Sequence, residues 1–217
     1  MNEMRIGKNI VLRKAKESDY KSMLQNVWGD EDVFKWMLFQ PTFTEEDAIE
    51  RTKRSINFQK DHYAYFIALK STDEAIGLCA INEYEQGKFE ECGICIGKKF
   101  QGLGYGKEVL SLLLDLAYNE LGAESFKYGY SIDNKKSQNL ASKFGFEYLK
   151  TVELIRPWDG AKKVIEQCTK AKNNFRDSKI KVSELAAALS AVLFIAEFGP
   201  NRASDGGKLS RCPLKYI

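Results

Sequence analysis

The octapeptide Phe100-Gln101-Gly102-Leu103-Gly104-Tyr105-Gly106-Lys107 puts three glycines at alternate positions just ahead of an apolar-periodic segment. Such a loop lets the backbone approach a ligand closely. It aims consecutive N–H groups into one concavity, and the helix start behind it adds its positive end, so a phosphate or pyrophosphate is the natural occupant. A glycine-rich turn that only reverses the chain is the bland alternative. A P-loop requires G-x-x-x-x-G-K-[ST]; counting from Gly106-Lys107, Gln101 stands at the first glycine and Glu108 at the hydroxyl position. A dinucleotide fingerprint requires G-x-G-x-x-G, and here Lys107 replaces the third glycine.

Outward from this loop the periodicities alternate between strand and helix. A helix is expected over 105–121, with Val109, Leu110, Leu113, Leu114, Leu116 and Ala117 on its apolar side and Gly122 at its end. Upstream, strands are expected at 9–15, 63–69, 75–84 and 91–96. Helices are expected at 19–28, with Ser18 as cap, and from Thr44 to Phe58. Downstream come a strand at 126–132, a helix at 135–144 stopped by Gly145, and a hairpin of 146–155 and 162–170 around Pro157-Trp158-Asp159-Gly160. The pattern predicts one mixed α/β domain over residues 1–175. Residues 176–217 read as an extension with one short apolar helix at 184–198, docked on the domain, used between subunits, or foreign to the domain.

The order of motifs identifies a family. Gln101-x-x-Gly104-x-Gly106, after a strand and before an amphipathic helix, resembles the Q/R-x-x-G-x-G/A signature of the GNAT acyltransferases. Asn134-x-x-Ser137, followed by Lys143-Phe144-Gly145-Phe146, resembles that family's second coenzyme A motif. Ile10-Val11-Leu12-Arg13 and Phe43-Thr44-Glu45-Glu46-Asp47-Ala48 resemble the subgroup of ribosomal-protein alanine acetyltransferases, and the likeness spans residues 8–172. It implies an α/β fold with a mixed central sheet of about seven strands flanked by about four helices, and a C-terminal helical appendage.

The resemblance also implies an activity: acetyl-CoA-dependent transfer of an acetyl group to a primary amine, on a protein N-terminus or a small molecule. Acetyl-CoA would lie between two splayed strands, with its pantetheine along the backbone of Ile94, Cys95 and Ile96. Its pyrophosphate would meet the loop of Gln101, Gly102, Leu103, Gly104, Tyr105, Gly106 and Lys107, and its arm would meet Asn134 and Ser137. A main-chain N–H near Ile94 or Cys95 would polarise the thioester carbonyl. Glu91 is the first candidate for the base that frees the amine, with Glu90, Glu83 and Tyr84 behind it. Strand alternation predicts Glu91 on the face of Gly93 and Cys95. Many members carry a tyrosine acid seven residues after the motif asparagine; here that position is Ala141, and Tyr130 or Ser131 is the substitute considered. Trp28, Phe34, Trp36 and Phe39 would wall the acceptor pocket or simply pack. A degenerate module that binds acyl-CoA as a sensor stays open as an alternative, as does a homodimer.

Composition narrows the remaining classes. The chain of 217 residues has a formal net charge of +3. Residues 176–217 hold seven basic and four acidic side chains, so residues 1–175 are neutral. A neutral body argues against nucleic-acid binding. A single histidine, His62, excludes a His-rich zinc site. Cys92-Gly93-Ile94-Cys95 is the remaining metal-like motif, but residues three apart on a regular strand face opposite sides, so no metal is expected. Five cysteines, no apolar leader at Met1 and no long apolar run predict a cytoplasmic setting without a membrane span.

Overall fold

The computed structural model describes residues 4–172. It is a mixed α/β structure built on one sheet of eight strands: β1 (Arg5–Ile6), β2 (Ile10–Arg13), β3 (Ala64–Leu69), β4 (Ala75–Glu85), β5 (Lys88–Ile96), β6 (Ser125–Ser131), β7 (Glu147–Ile155) and β8 (Lys162–Ala171). Their order across the sheet is β1-β2-β3-β4-β5-β6-β8-β7. The eighth strand is β1, a short strand that pairs with the strand expected at 9–15. The expected domain boundary at 175 and the helix at 184–198 lie outside the described residues.

The helices are α1 (Tyr20–Met23), α2 (Glu31–Phe34), α3 (Glu45–Phe58), α4 (Tyr105–Asp115) and α5 (Lys135–Lys143). Thr44 caps α3 as expected, its Oγ1 accepting from Asp47 N at 3.1 Å. Ser18 does not cap α1. The first turn is closed by Asp19, whose Oδ2 accepts from Lys16 N at 2.7 Å. Asp19 also takes two bonds of 2.8 Å from the Arg13 guanidinium.

Helices cover both faces. On one, Val109, Leu110, Leu113 and Leu114 of α4 and Ala141 of α5 pack against Ile10, Leu12, Tyr65, Ile67, Cys79 and Ile81. Each fully buried leucine contributes about 1.5–3 kcal/mol over exposure. On the other, Met23, Val27, Trp28, Phe39 and Ala48 pack against Phe66, Leu78, Ala80, Cys92 and Cys95.

One irregularity sets up the site. Ile81 pairs with Glu91 and Cys79 with Ile94, so two steps on β4 face three on β5. The extra residue is a β-bulge at Cys92-Gly93, and Gly93 adopts φ +123°, a region open to glycine. β5 and β6 are parallel neighbours only through Lys88↔Ser125, Phe89↔Phe126 and Glu90↔Lys127. Beyond the bulge the two strands part.

Candidate active site

The bulge corrects the expected alternation. Glu91, Ile94 and Ile96 stand opposite Ile81, Cys79 and Gly77, alternate residues of β4, so all three face the α4 side. Cys92 and Cys95 both face the other side, among the α1–α3 residues. The two thiols therefore share a face, contrary to the regular-strand expectation. Among the described residues no three metal-ligating side chains gather. Burial pushes the Cys95 thiol up to about 12, so it stays protonated.

The same register exposes main-chain groups. Gly97 N donates to Ile76 O at 2.8 Å, and antiparallel ladders alternate, so Cys95 turns its backbone to β4. The groups of Ile94 and Ile96 turn toward the opening between β5 and β6. Gln101 Nε2 donates to the Ile96 carbonyl at 2.9 Å, while Gln101 Oε1 accepts from Lys136 Nζ at 2.9 Å. Gln101 thus ties the end of β5 and the start of α5 to the glycine loop, which motif reading alone did not reveal.

At that loop Gly102 and Gly104 adopt φ +83° and +86°, and a Cβ on either would meet nothing within 4 Å. The glycines serve conformation and leave the outer side open. Gly104 is the left-handed cap of α4, and Tyr105, Gly106 and Lys107 form its first turn. Those N–H groups precede the first carbonyl they could bond within the helix. The acid of this turn, Glu108, is turned away: its Oε1 accepts from Asn9 N at 2.7 Å and Ile10 N at 3.1 Å. Leu103 and Lys107 are exposed, and Tyr105 is half-buried against the α4-side core. The loop and the start of α4 therefore offer donors without a competing carboxylate, a fit for a pyrophosphate.

Glu91 bridges the opening. Its Oε2 accepts from Gly93 N at 2.6 Å on its own strand, and its Oε1 from Gly129 N at 3.4 Å on β6. Burial pushes its carboxyl up to about 7, against the pull of those two N–H groups. Glu90 is committed elsewhere, paired with Lys127 Nζ at 2.5 Å, and that ammonium also lies over the Tyr84 ring. Glu83 accepts from Gly87 N at 2.8 Å in the turn. Of the four residues considered as base, Glu91 alone bridges the diverging strands.

The β6 phenols line the next positions. Tyr130 donates to Glu166 Oε2 at 2.7 Å, and burial with that carboxylate pushes it up to about 12. Tyr128, which lies in none of the motifs, is buried, and its hydroxyl lies 2.7 Å from Ser137 Oγ. Burial and the field of Glu91 push it up as well. Asn134 is the cap of α5, its Oδ1 accepting from Ser137 N at 3.2 Å. Ala141 is buried in the core beside these groups. The signal for Tyr128 is its alternation with Tyr130 and Phe126, which puts all three on one face.

The aromatic residues expected at the acceptor side divide. Trp28 and Phe39 are buried, while Phe34 meets Phe43 and Trp158 edge-on at 6.0 and 6.2 Å. The Trp158 contact brings the β7–β8 turn against α2, where Lys163 Nζ also donates to Lys35 O at 3.0 Å.

Comparison with known proteins bears on the family and the fold. The model of the GNAT acetyltransferase domain family matches residues 9–147. The chain is similar to the uncharacterized N-acetyltransferase p20 of Bacillus licheniformis, 27% identical over 158 residues, 70% of this chain and 85% of that protein. A GNAT-family acetyltransferase from Bacillus anthracis superposes with a TM-score of 0.67 at 16% identity, covering 78% of this chain and 99% of that one. An acetyl transferase of Salmonella typhimurium that modifies the N-terminal serine of a 50S ribosomal subunit protein superposes with a TM-score of 0.62 at 17% identity, covering 77% and 97%.

Proposed function

Because the chain belongs to the GNAT acetyltransferase family, we propose that it is an acetyl-CoA-dependent N-acetyltransferase that acts on a primary amine by direct transfer. The observation that carries the reading is Glu91, a carboxylate that bridges the diverging strands and is held near pKa 7. At neutral pH such a group is partly ionised and can take a proton from an incoming ammonium, directly or through water.

The other residues divide the remaining work. The loop from Gly102 to Lys107 and the start of α4 hold the pyrophosphate by backbone N–H groups. Main-chain groups of Ile94 and Ile96 orient the pantetheine, and the Ile94 N–H polarises the thioester carbonyl. Asn134 and Ser137 flank the cofactor arm from the start of α5. With Ala141 in place of a tyrosine, the proton for the departing thiolate comes from a β6 phenol, Tyr130 or Tyr128. Covalent chemistry at Cys95 is disfavoured by its raised pKa. No metal enters the scheme. Buried free cysteines at 79, 92, 95 and 168 accord with a cytoplasmic enzyme, and among the described residues no helix is long and apolar enough to cross a membrane.

The test is calorimetric titration of acetyl-CoA, followed by coenzyme A release over a panel of amines for the native protein and Glu91→Gln. Absence of acetyl-CoA binding would overturn the reading. Binding without turnover on any amine would leave an acyl-CoA sensor.

A further inference from the structure

β7 is the last strand of the sheet, and its outer edge has no partner strand among the described residues. It runs nine residues, Glu147–Ile155, without a proline. Such an edge turns alternate backbone N–H and C=O groups outward, ready to pair with another strand. It is also apolar where it is exposed: Tyr148, Leu149 and Ile155 are 66%, 48% and 64% exposed. Of the seven large hydrophobic side chains exposed among the described residues, these three stand on one strand. Edges are ordinarily blunted by shortness, proline or inward charge. The opposite edge of this sheet follows that rule, since β1 is two residues long. β7 does not.

The ladder with β8 sets which residues of β7 share a face. From Tyr148 to Ile155 the strand opposes successive residues of β8, Cys168 back to Lys162, with Leu149 as an extra residue. Val152 is therefore the midpoint, three steps from Tyr148 and three from Ile155. Tyr148 and Ile155 fall on one face, the face of Thr151 and Glu153. A second copy of β7, laid antiparallel about a twofold axis through Val152, then matches the first. Tyr148, with Leu149 beside it, meets Ile155 of the second copy, and the same contact recurs at the other end. Thr151 meets Glu153, and the Lys150 stem lies along Leu154. One step further out, where Arg156 N still donates to Ala161 O, Glu147 meets a position of opposite sign. No like charges face each other. Neighbouring axes do worse. An axis through Thr151 sets Tyr148 against Glu153, and one through Glu153 sets Lys150 against Arg156.

We propose that β7 is an interface between two copies of this chain, which joins two eight-stranded sheets edge to edge. An isologous contact of this kind uses the one free long edge of each copy and closes at two. Main-chain hydrogen bonds supply the contact, and the apolar clusters at its two ends set the register. No residue assigned to the acetyltransferase site lies on β7, so the interface stands apart from that reading.

The test is sedimentation equilibrium of the full chain over a range of concentrations, together with hydrogen exchange of the β7 amides. The expected result is a species of twice the chain mass that dissociates on dilution, with β7 amides protected in the concentrated sample and not in the dilute one. A monomer at every concentration overturns the proposal. So does a dimer whose β7 amides exchange alike in both samples, which would put the contact elsewhere, residues 176–217 included. Tyr148→Lys and Ile155→Glu are each expected to raise the dimer dissociation constant by at least about tenfold, because each removes two apolar contacts at once. The two positions face each other across the axis, so the chain carrying both substitutions is expected to associate more tightly than either single variant. A double variant no tighter than the singles overturns the pairing. Both side chains are exposed, so the variants are expected to melt as the native chain does. If one fails to fold, the exchange measurement on the native chain decides alone.

Discussion

At the scale of single residues, Glu91 makes the sharpest prediction. Its carboxyl is raised to about 7 by burial, so the active, ionised form grows in as pH rises. The acetyl-transfer rate is expected to climb through one ionisation near pH 7 and then level. Glu91→Gln is expected to lose about 10²–10⁴-fold in kcat and to flatten that limb. The sign for stability is the reverse. A carboxyl with a raised folded pKa favours the native state when protonated, below its unfolded value near 4.5, and that contribution is lost as pH rises through 7. Thermal melts should therefore show Glu91→Gln gaining Tm relative to native at pH 9 but not at pH 5. The two phenols are separable by the same kinetics: the one that supplies the thiolate proton should lower kcat on substitution by phenylalanine and leave the KM for acetyl-CoA unchanged. That an acid stood at this strand was readable in the chain. Which acid escapes an ion pair was not, because Lys127, which pairs with Glu90, belongs to β6.

At the scale of elements, two glycines respond differently to alanine. Gly104 has φ +86° and open space where a Cβ would stand, so Gly104→Ala strains the backbone by about 1 kcal/mol without a clash. The variant should fold, and its KM for acetyl-CoA should rise more than its kcat falls. Gly77 has an ordinary backbone, but a Cβ there would lie 2.3 Å from Cys95 O. Gly77→Ala should force β4 from β5 and lower stability by several kcal/mol, measurable as a fall in the urea midpoint. The glycine loop was legible because its chemistry is local. The bulge at Cys92-Gly93 was not, since a bulge is defined by the count on a partner strand. One extra residue on β5 moved Glu91 away from the face of the cysteines and brought the two thiols onto one side.

At the scale of the whole molecule, Arg13 joins β2, the turn at Asp19 and the β3–β4 turn at Asp73. Arg13→Met strands the buried Asp19 carboxylate and should cost about 3–5 kcal/mol in chemical unfolding. A chain ending at residue 175 contains all eight strands and the family match. It is expected to unfold in one transition and to bind acetyl-CoA as the full chain does, which calorimetry on both would show. The net charge of +3 falls outside that region, so under the proposed function an anionic cofactor would be met by local N–H groups and not by bulk charge. The sequence by itself determined the order of elements, the glycine loop ahead of α4 and the family, because periodicity, caps and glycine patterns act over a few neighbouring residues. Tertiary structure alone decided the splay of β5 and β6, the pairing of Glu90 with Lys127 and the placing of Glu91 between Gly93 N and Gly129 N. Each of these depends on burial and on partners from other elements, and a linear pattern does not encode which distant groups become neighbours.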